Sequence, residues 1–126
     1  MLALNAMHYL LILFAIVAAE GVVLALHVFF GKFAPWSMSL MHGFLGGIGI
    51  SYLVYTILSG PTPPLLVWVF TLFLCAAPLG VLLATFHLRR KLPPKVLVFV
   101  HAGLAVSAFV TLLYIAFPAQ FAAVGL

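Results

Sequence analysis

Long uncharged stretches constrain this chain more than any other feature. It has five basic residues, Lys32, Arg89, Arg90, Lys91 and Lys95, and one acid, Glu20. Around them, Gly- and Pro-bearing breaks divide the sequence into four apolar runs. Each run reaches the roughly 20 residues that a helix needs to cross the hydrocarbon of a bilayer. Soluble domains carry about 25% charged residues, whereas this chain is 5% charged and 67% hydrophobic with a mean hydropathy of +1.40. A water-soluble domain is therefore excluded. Four of the five basic residues fall between Arg89 and Lys95. They mark one loop, not a solvated basic face, so nucleic acid is not an expected partner. The single cysteine, Cys75, sits inside an apolar run and excludes a disulfide framework.

The runs predict helices near 4–30, 37–58, 64–88 and 95–117. Their connections are too short for a crossover, so sequential helices must be antiparallel neighbours. The expected architecture is all-α: a single integral-membrane domain over 1–126, folded as an up-down four-helix bundle. The first run lacks a basic flank and continues past Glu20 to Phe30, which reads as a retained helix and not a cleaved leader. Loops one and three hold all five basic residues. By the positive-inside rule they face the cytoplasm, and both termini and the Pro-rich middle loop lie outside. This places a multi-pass protein in a bacterial inner membrane with periplasmic termini.

Laid over itself, the sequence aligns 11–58 with 70–117 without a gap, and 13 of the 48 positions are identical. Leu13-Phe14 meets Leu72-Phe73, Gly21-Val22 meets Gly80-Val81, Lys32 and Pro35 meet Lys91 and Pro94, and His42 and Tyr55 meet His101 and Tyr114. An apolar composition inflates chance identity for Leu or Ala, but not for Lys, Pro, His or Tyr. A tandem duplication of a two-helix unit follows. Since each unit crosses twice, the repeat is parallel, about an axis along the membrane normal.

Equivalent residues of such a repeat share one depth. His42 and His101 fall roughly 8 Å inside the cytoplasmic boundary and are placed to face each other across the bundle. His27 and His87 lie near the same boundary, completing a layer with one histidine per helix, while His8 is alone on the opposite side. Two opposed imidazoles in an apolar bundle suit axial ligation of haem iron. On the ligand-bearing faces, Gly46 and Gly49 follow His42, and Ala105 and Ala108 follow His101. Such small residues leave room for a flat cofactor, although small residues in membrane helices also serve close helix packing. Arg89, Arg90 and Lys91 stand where haem carboxylates would emerge. His27 and His87 are candidates for a second haem, a propionate bond or a quinone carbonyl. Glu20, close to the midplane, is a functional candidate because an ionisable group there is costly. Seven residues from His27, it suggests a proton route to the histidine layer, against a purely structural hydrogen-bonding role. Tyr55, Tyr114, Trp36 and Trp68 read as interfacial anchors, and Pro78 should kink the third helix.

With His42 and His101 on helices two and four, matched small neighbours and basic loops, the chain resembles the small four-helix b-type cytochromes of bacterial membranes and the haem-bearing anchor subunits of respiratory dehydrogenases. The resemblance implies haem b, electron exchange with quinone, and a partner subunit that performs the catalytic reaction. Two other readings stay open. One is a cofactor-free accessory or assembly subunit packed against a respiratory or photosynthetic complex. The other is a small transporter or metal channel lined by His27, His42, His87 and His101.

Overall fold

The computed structural model describes residues 2–118, with side chains from Ala6 onward. These residues form four helices: α1 (Leu2–Phe29), α2 (Trp36–Leu58), α3 (Leu65–Leu88) and α4 (Lys95–Ala116). All four are long and apolar enough to cross a membrane. At ~1.5 Å per residue even α4, with 22 residues, extends about 33 Å.

The helix ends follow from local chemistry. After α1, Gly31 adopts φ 68°, its amide bonds the Val28 carbonyl at 3.1 Å, and the Lys32 amide bonds that of His27 at 2.8 Å. After α3, Arg90 adopts φ 53°, its amide bonds the His87 carbonyl at 3.0 Å, and the Lys91 amide bonds that of Phe86 at 3.0 Å. Both are Schellman stops, in which one left-handed residue lets two amides cap the last carbonyls. Pro35 and Pro94 then launch α2 and α4 with nearly the same dihedrals, φ −57° and ψ 132° against φ −58° and ψ 131°. Proline presets φ and brings no amide to an end that already has orphans. Within the helices, the hydroxyls of Ser51, Thr56, Thr71, Ser107 and Thr111 donate to carbonyls four residues back, at 2.8–2.9 Å. That satisfies the hydroxyls without a partner from outside the helix. α3 stays one helix through Pro78.

Each helix packs against its neighbours in sequence, and α4 closes the ring onto α1, leaving α1 diagonal to α3 and α2 diagonal to α4. Loops one and three form the basic end, and loop two with the start of α1 and the end of α4 the proline end. The tightly packed core lies toward the proline end. Its centre is built from Met7, Leu10 and Phe14 of α1, Leu53 of α2, Leu66, Val69 and Phe73 of α3, and Ala108 and Leu112 of α4. Buried positions fall into couples 59 residues apart: Met7 with Leu66, Leu10 with Val69, Phe14 with Phe73, Gly49 with Ala108, and Leu53 with Leu112. Tyr9, Ile12, Ile16, Val22 and Leu26 point outward from α1. An apolar outer surface of this kind suits lipid and would be an aggregation liability in water.

Candidate histidine site

His42 lies six residues into α2 from Trp36, and His101 six into α4 from Lys95, so both stand about 9 Å from the basic end of their helices. The His42 Nδ1–H donates to the Val17 carbonyl of α1 at 3.0 Å. The His101 Nδ1–H donates to the Ala76 carbonyl of α3 at 2.9 Å. A carbonyl only accepts, so Nδ1 carries the proton in both rings, and in the neutral imidazole Nε2 keeps its lone pair. The close approach depends on two glycines. A Cβ at Gly21 would stand 3.0 Å from the His42 Cε1, and one at Gly80 would stand 3.0 Å from the His101 Cε1. Held this way on diagonal helices, the rings come together with centroids 6.2 Å apart and planes at 68°.

Beneath the pair, about 10 Å along α1 and α3 from Gly21 and Gly80, Phe14 and Phe73 stack with centroids 4.0 Å apart and planes at 9°. Here the structure reassigns one small residue. A Cβ on Gly49 would lie 2.8 Å from the Phe14 Cζ, so the space beside Gly49 holds an aromatic ring and not a cofactor edge. Ala108, its counterpart, is fully buried in the same core cluster. Gly46 and Ala105, a turn nearer the histidines, are only partly buried, and a Cβ on Gly46 would meet only Val17, at 3.9 Å.

Glu20 adjoins Gly21, the residue against which the His42 ring rests. Its Oε2 is buried and makes no hydrogen bond among the described residues. The counterpart in α3 is Leu79, so the acid serves one half only. His27, the expected partner of Glu20, is held by its own helix, with its Nδ1–H donating to the Val23 carbonyl at 2.8 Å.

The expected layer of four histidines thus separates into an inner pair and two outliers. His87 shares a hydrogen bond with Ser39 Oγ at 3.3 Å. Its ring lies edge-on to Trp36, centroids 4.9 Å apart, and tilted to Phe33 at 5.9 Å. Arg89 and Lys91 are exposed at the same end, beside Arg90. His8 lies at the proline end, edge-on to Phe117 at 5.4 Å. Among the described residues, no group of three or more His, Cys, Asp or Glu gathers to hold a metal ion.

An iron held end-on by two imidazoles needs no third protein ligand. Two metal–nitrogen bonds of about 2 Å, plus about 1 Å from each nitrogen to its ring centre, place the centroids roughly 6 Å apart. The observed 6.2 Å meets that requirement. The Nδ1–H bonds to carbonyls are the outer contacts that fix ligand orientation in metal-bound histidines. By spacing and by the free Nε2 of each ring, His42 and His101 are the residues that would hold a haem. The residues that seat them, Gly21 and Gly80 with the Val17 and Ala76 carbonyls, have no chemistry of their own to draw attention. Their only signal in the sequence is the 59-residue self-alignment. Comparison of the chain with protein-family models, curated proteins and solved structures finds no match.

Proposed function

We propose that the chain is a membrane electron-transfer subunit in which His42 and His101 bind one haem b, exchanging electrons with quinone inside a larger respiratory-type complex. The single observation that carries this reading is the 6.2 Å approach of two histidines, each fixed through Nδ1 with Nε2 left to ligate. When bound, haem supplies one-electron transfer at a potential tuned by its axial ligands and its burial. The protein's own groups do the rest. The Val17 and Ala76 carbonyls orient the rings, Gly21 and Gly80 let the rings lie against α1 and α3, and the Phe14–Phe73 stack keeps water from reaching the pair through the proline end. Arg89, Arg90 and Lys91 offer counter-charges for carboxylates at the basic end, and Glu20 Oε2 offers a proton site beside His42.

This reading sets the four helices in a bacterial inner membrane, with the basic loops cytoplasmic and both termini periplasmic, and with neighbouring membrane subunits around the apolar exterior. It also takes the chain as a tandem duplication. The paired core positions, the twin Schellman stops and the two His–carbonyl bonds all recur at the spacing that aligns 11–58 with 70–117, and they support that origin.

A reduced-minus-oxidised visible spectrum of the protein purified in detergent tests the proposal. A haem b band is expected, lost in His42→Ala and in His101→Ala and retained in His8→Ala. A colourless protein overturns the haem. The alternative, a cofactor-free accessory subunit, draws on one observation: each His–carbonyl bond already ties neighbouring helices together without any ligand. Variants at His42 and His101 that lose stability in a protein that never binds haem would establish it.

A further inference from the structure

At the basic end, Phe33, Trp36, His87, Leu88 and Arg90 line a recess of about 650 Å³ between the end of α3 and the start of α2. We propose that this recess binds the phosphate of an acidic phospholipid headgroup. The inference rests on the reading of the helices as membrane spans and not on haem.

Three observations carry it. The first is Arg90 itself. It occupies the left-handed position of a Schellman stop at φ 53°, where the matching stop of α1 has Gly31 at φ 68°. The fold is satisfied by glycine there, and a side chain with a Cβ adopts that conformation with strain. A guanidinium, which suits phosphate oxygens in a two-pronged grip, is the group gained in exchange.

The second is charge. Arg89 and Lys91 flank Arg90, and the one acid of the chain, Glu20, lies in the bundle beside His42. The third is the lining. Leu88 and Phe33 are exposed, so the polar donors His87 and Arg90 sit beside an apolar rim continuous with the lipid-facing surface. A soluble anion gains nothing from such a rim, whereas a headgroup carrying acyl chains does.

The opposite corner of the molecule is built differently. At the repeat-equivalent positions of Arg90, Phe33 and Trp36 stand Gly31, Leu92 and Lys95, and the Lys95 Nζ lies over the Phe29 ring, 5.8 Å from its centroid. One recess per chain is expected.

The test uses the full chain in phosphatidylcholine nanodiscs with an increasing fraction of phosphatidylglycerol. Trp36 fluorescence is read in a Trp68→Phe background. A saturable response is expected. Its half-point should move at least tenfold in Arg90→Gly and in Arg90→Asn, both of which accept the left-handed backbone at that position, and less than twofold in Arg89→Gln. Equal shifts for Arg89 and Arg90 variants, or none for Arg90, would overturn the site. A response reproduced by inorganic phosphate without phosphatidylglycerol would overturn the lipid assignment in favour of free phosphate. A chain that does not enter the disc fails the membrane reading before the titration, and a colourless disc fails the haem while leaving the recess testable.

Discussion

The α1–α2 and α3–α4 pairs are built on one plan and diverge at a handful of positions. What they share is whatever lies on the bundle axis: the Phe14 and Phe73 rings against each other, His42 against His101, Leu53 and Leu112 fully buried. What separates them lies beside the axial rings, off the axis or at the ends. Glu20 stands against Leu79, Gly49 against Ala108, Gly31 against Arg90, and Trp36 against Lys95. Symmetric positions hold the fold, and each asymmetric one is a place where a single half has been given chemistry or room of its own. Substitutions that exchange the two halves at these positions probe that division directly.

The largest effect on stability is expected at Gly49. An added methyl would lie 2.8 Å from the Phe14 Cζ, and the Phe14 ring cannot retreat because Phe73 is stacked on its other face. Overpacking of this kind costs about 1–3 kcal/mol, so Gly49→Ala should lower the thermal midpoint in detergent. The reciprocal Ala108→Gly should cost only about 1 kcal/mol, the usual penalty for glycine in a helix. If the double change Gly49→Ala with Phe14→Leu recovers none of the loss, the clash is not its source.

At Glu20 the expected sign is reversed. A buried polar atom without a partner costs about 1–3 kcal/mol, so replacement by the leucine that α3 carries should raise stability by roughly that amount. The same variant should lose quinone-linked activity in the assembled complex if the carboxyl serves the site. An unfolding midpoint that falls in Glu20→Leu would reveal a hydrogen-bond partner outside this chain, such as a neighbouring subunit. Glu20→Gln, which keeps the shape, then separates proton exchange from packing.

Removing either histidine should have equal structural cost. Each loses one hydrogen bond to a carbonyl, worth about 1 kcal/mol, and the surroundings of the two rings match, from Gly21 and Gly80 to the acceptor distances. In apoprotein unfolded in detergent, His42→Ala and His101→Ala should therefore agree within about 0.5 kcal/mol. A clear inequality would locate an interaction made by only one ring, with Glu20 beside His42 the first suspect.

The four helices were legible because Gly31, Pro35, Gly60, Pro94 and their neighbours interrupt the apolar runs, and chain breakers act locally. The meeting of His42 and His101 was legible for a different reason: the 59-residue self-alignment sets the two histidines at matching places in their helices. Rotation about each helix axis was not. Each of these helices is apolar on nearly every side, so no polar face marks which way it turns. That is why Gly49 reads as a cofactor edge until Phe14 is seen beside it. It is also why the seven-residue spacing of Glu20 and His27 could not foretell that the His27 Nδ1–H turns to the Val23 carbonyl of its own helix. His87 was misleading in a similar way. It lies at the same end of the bundle as the pair, one residue from the end of α3, but its ring is turned to Trp36 and Phe33.

The smallest expected effect comes from exchanging the two helix stops, and it bears on why they differ. A left-handed backbone costs an L-residue about 1 kcal/mol relative to glycine, and part of that is returned because glycine has more freedom to lose on folding. Arg90→Gly should thus raise stability by about 0.5 kcal/mol, and Gly31→Arg should lower it by a similar amount. Both stops keep the same two amide bonds, so neither change should shift a helix boundary, which circular dichroism can verify. Equal and opposite midpoint shifts would mean that the α3 stop keeps arginine despite its backbone and for the sake of its side chain. A loss of stability in Arg90→Gly would mean instead that the guanidinium is held by the protein's own groups, and the comparison between the two ends would lose its functional edge.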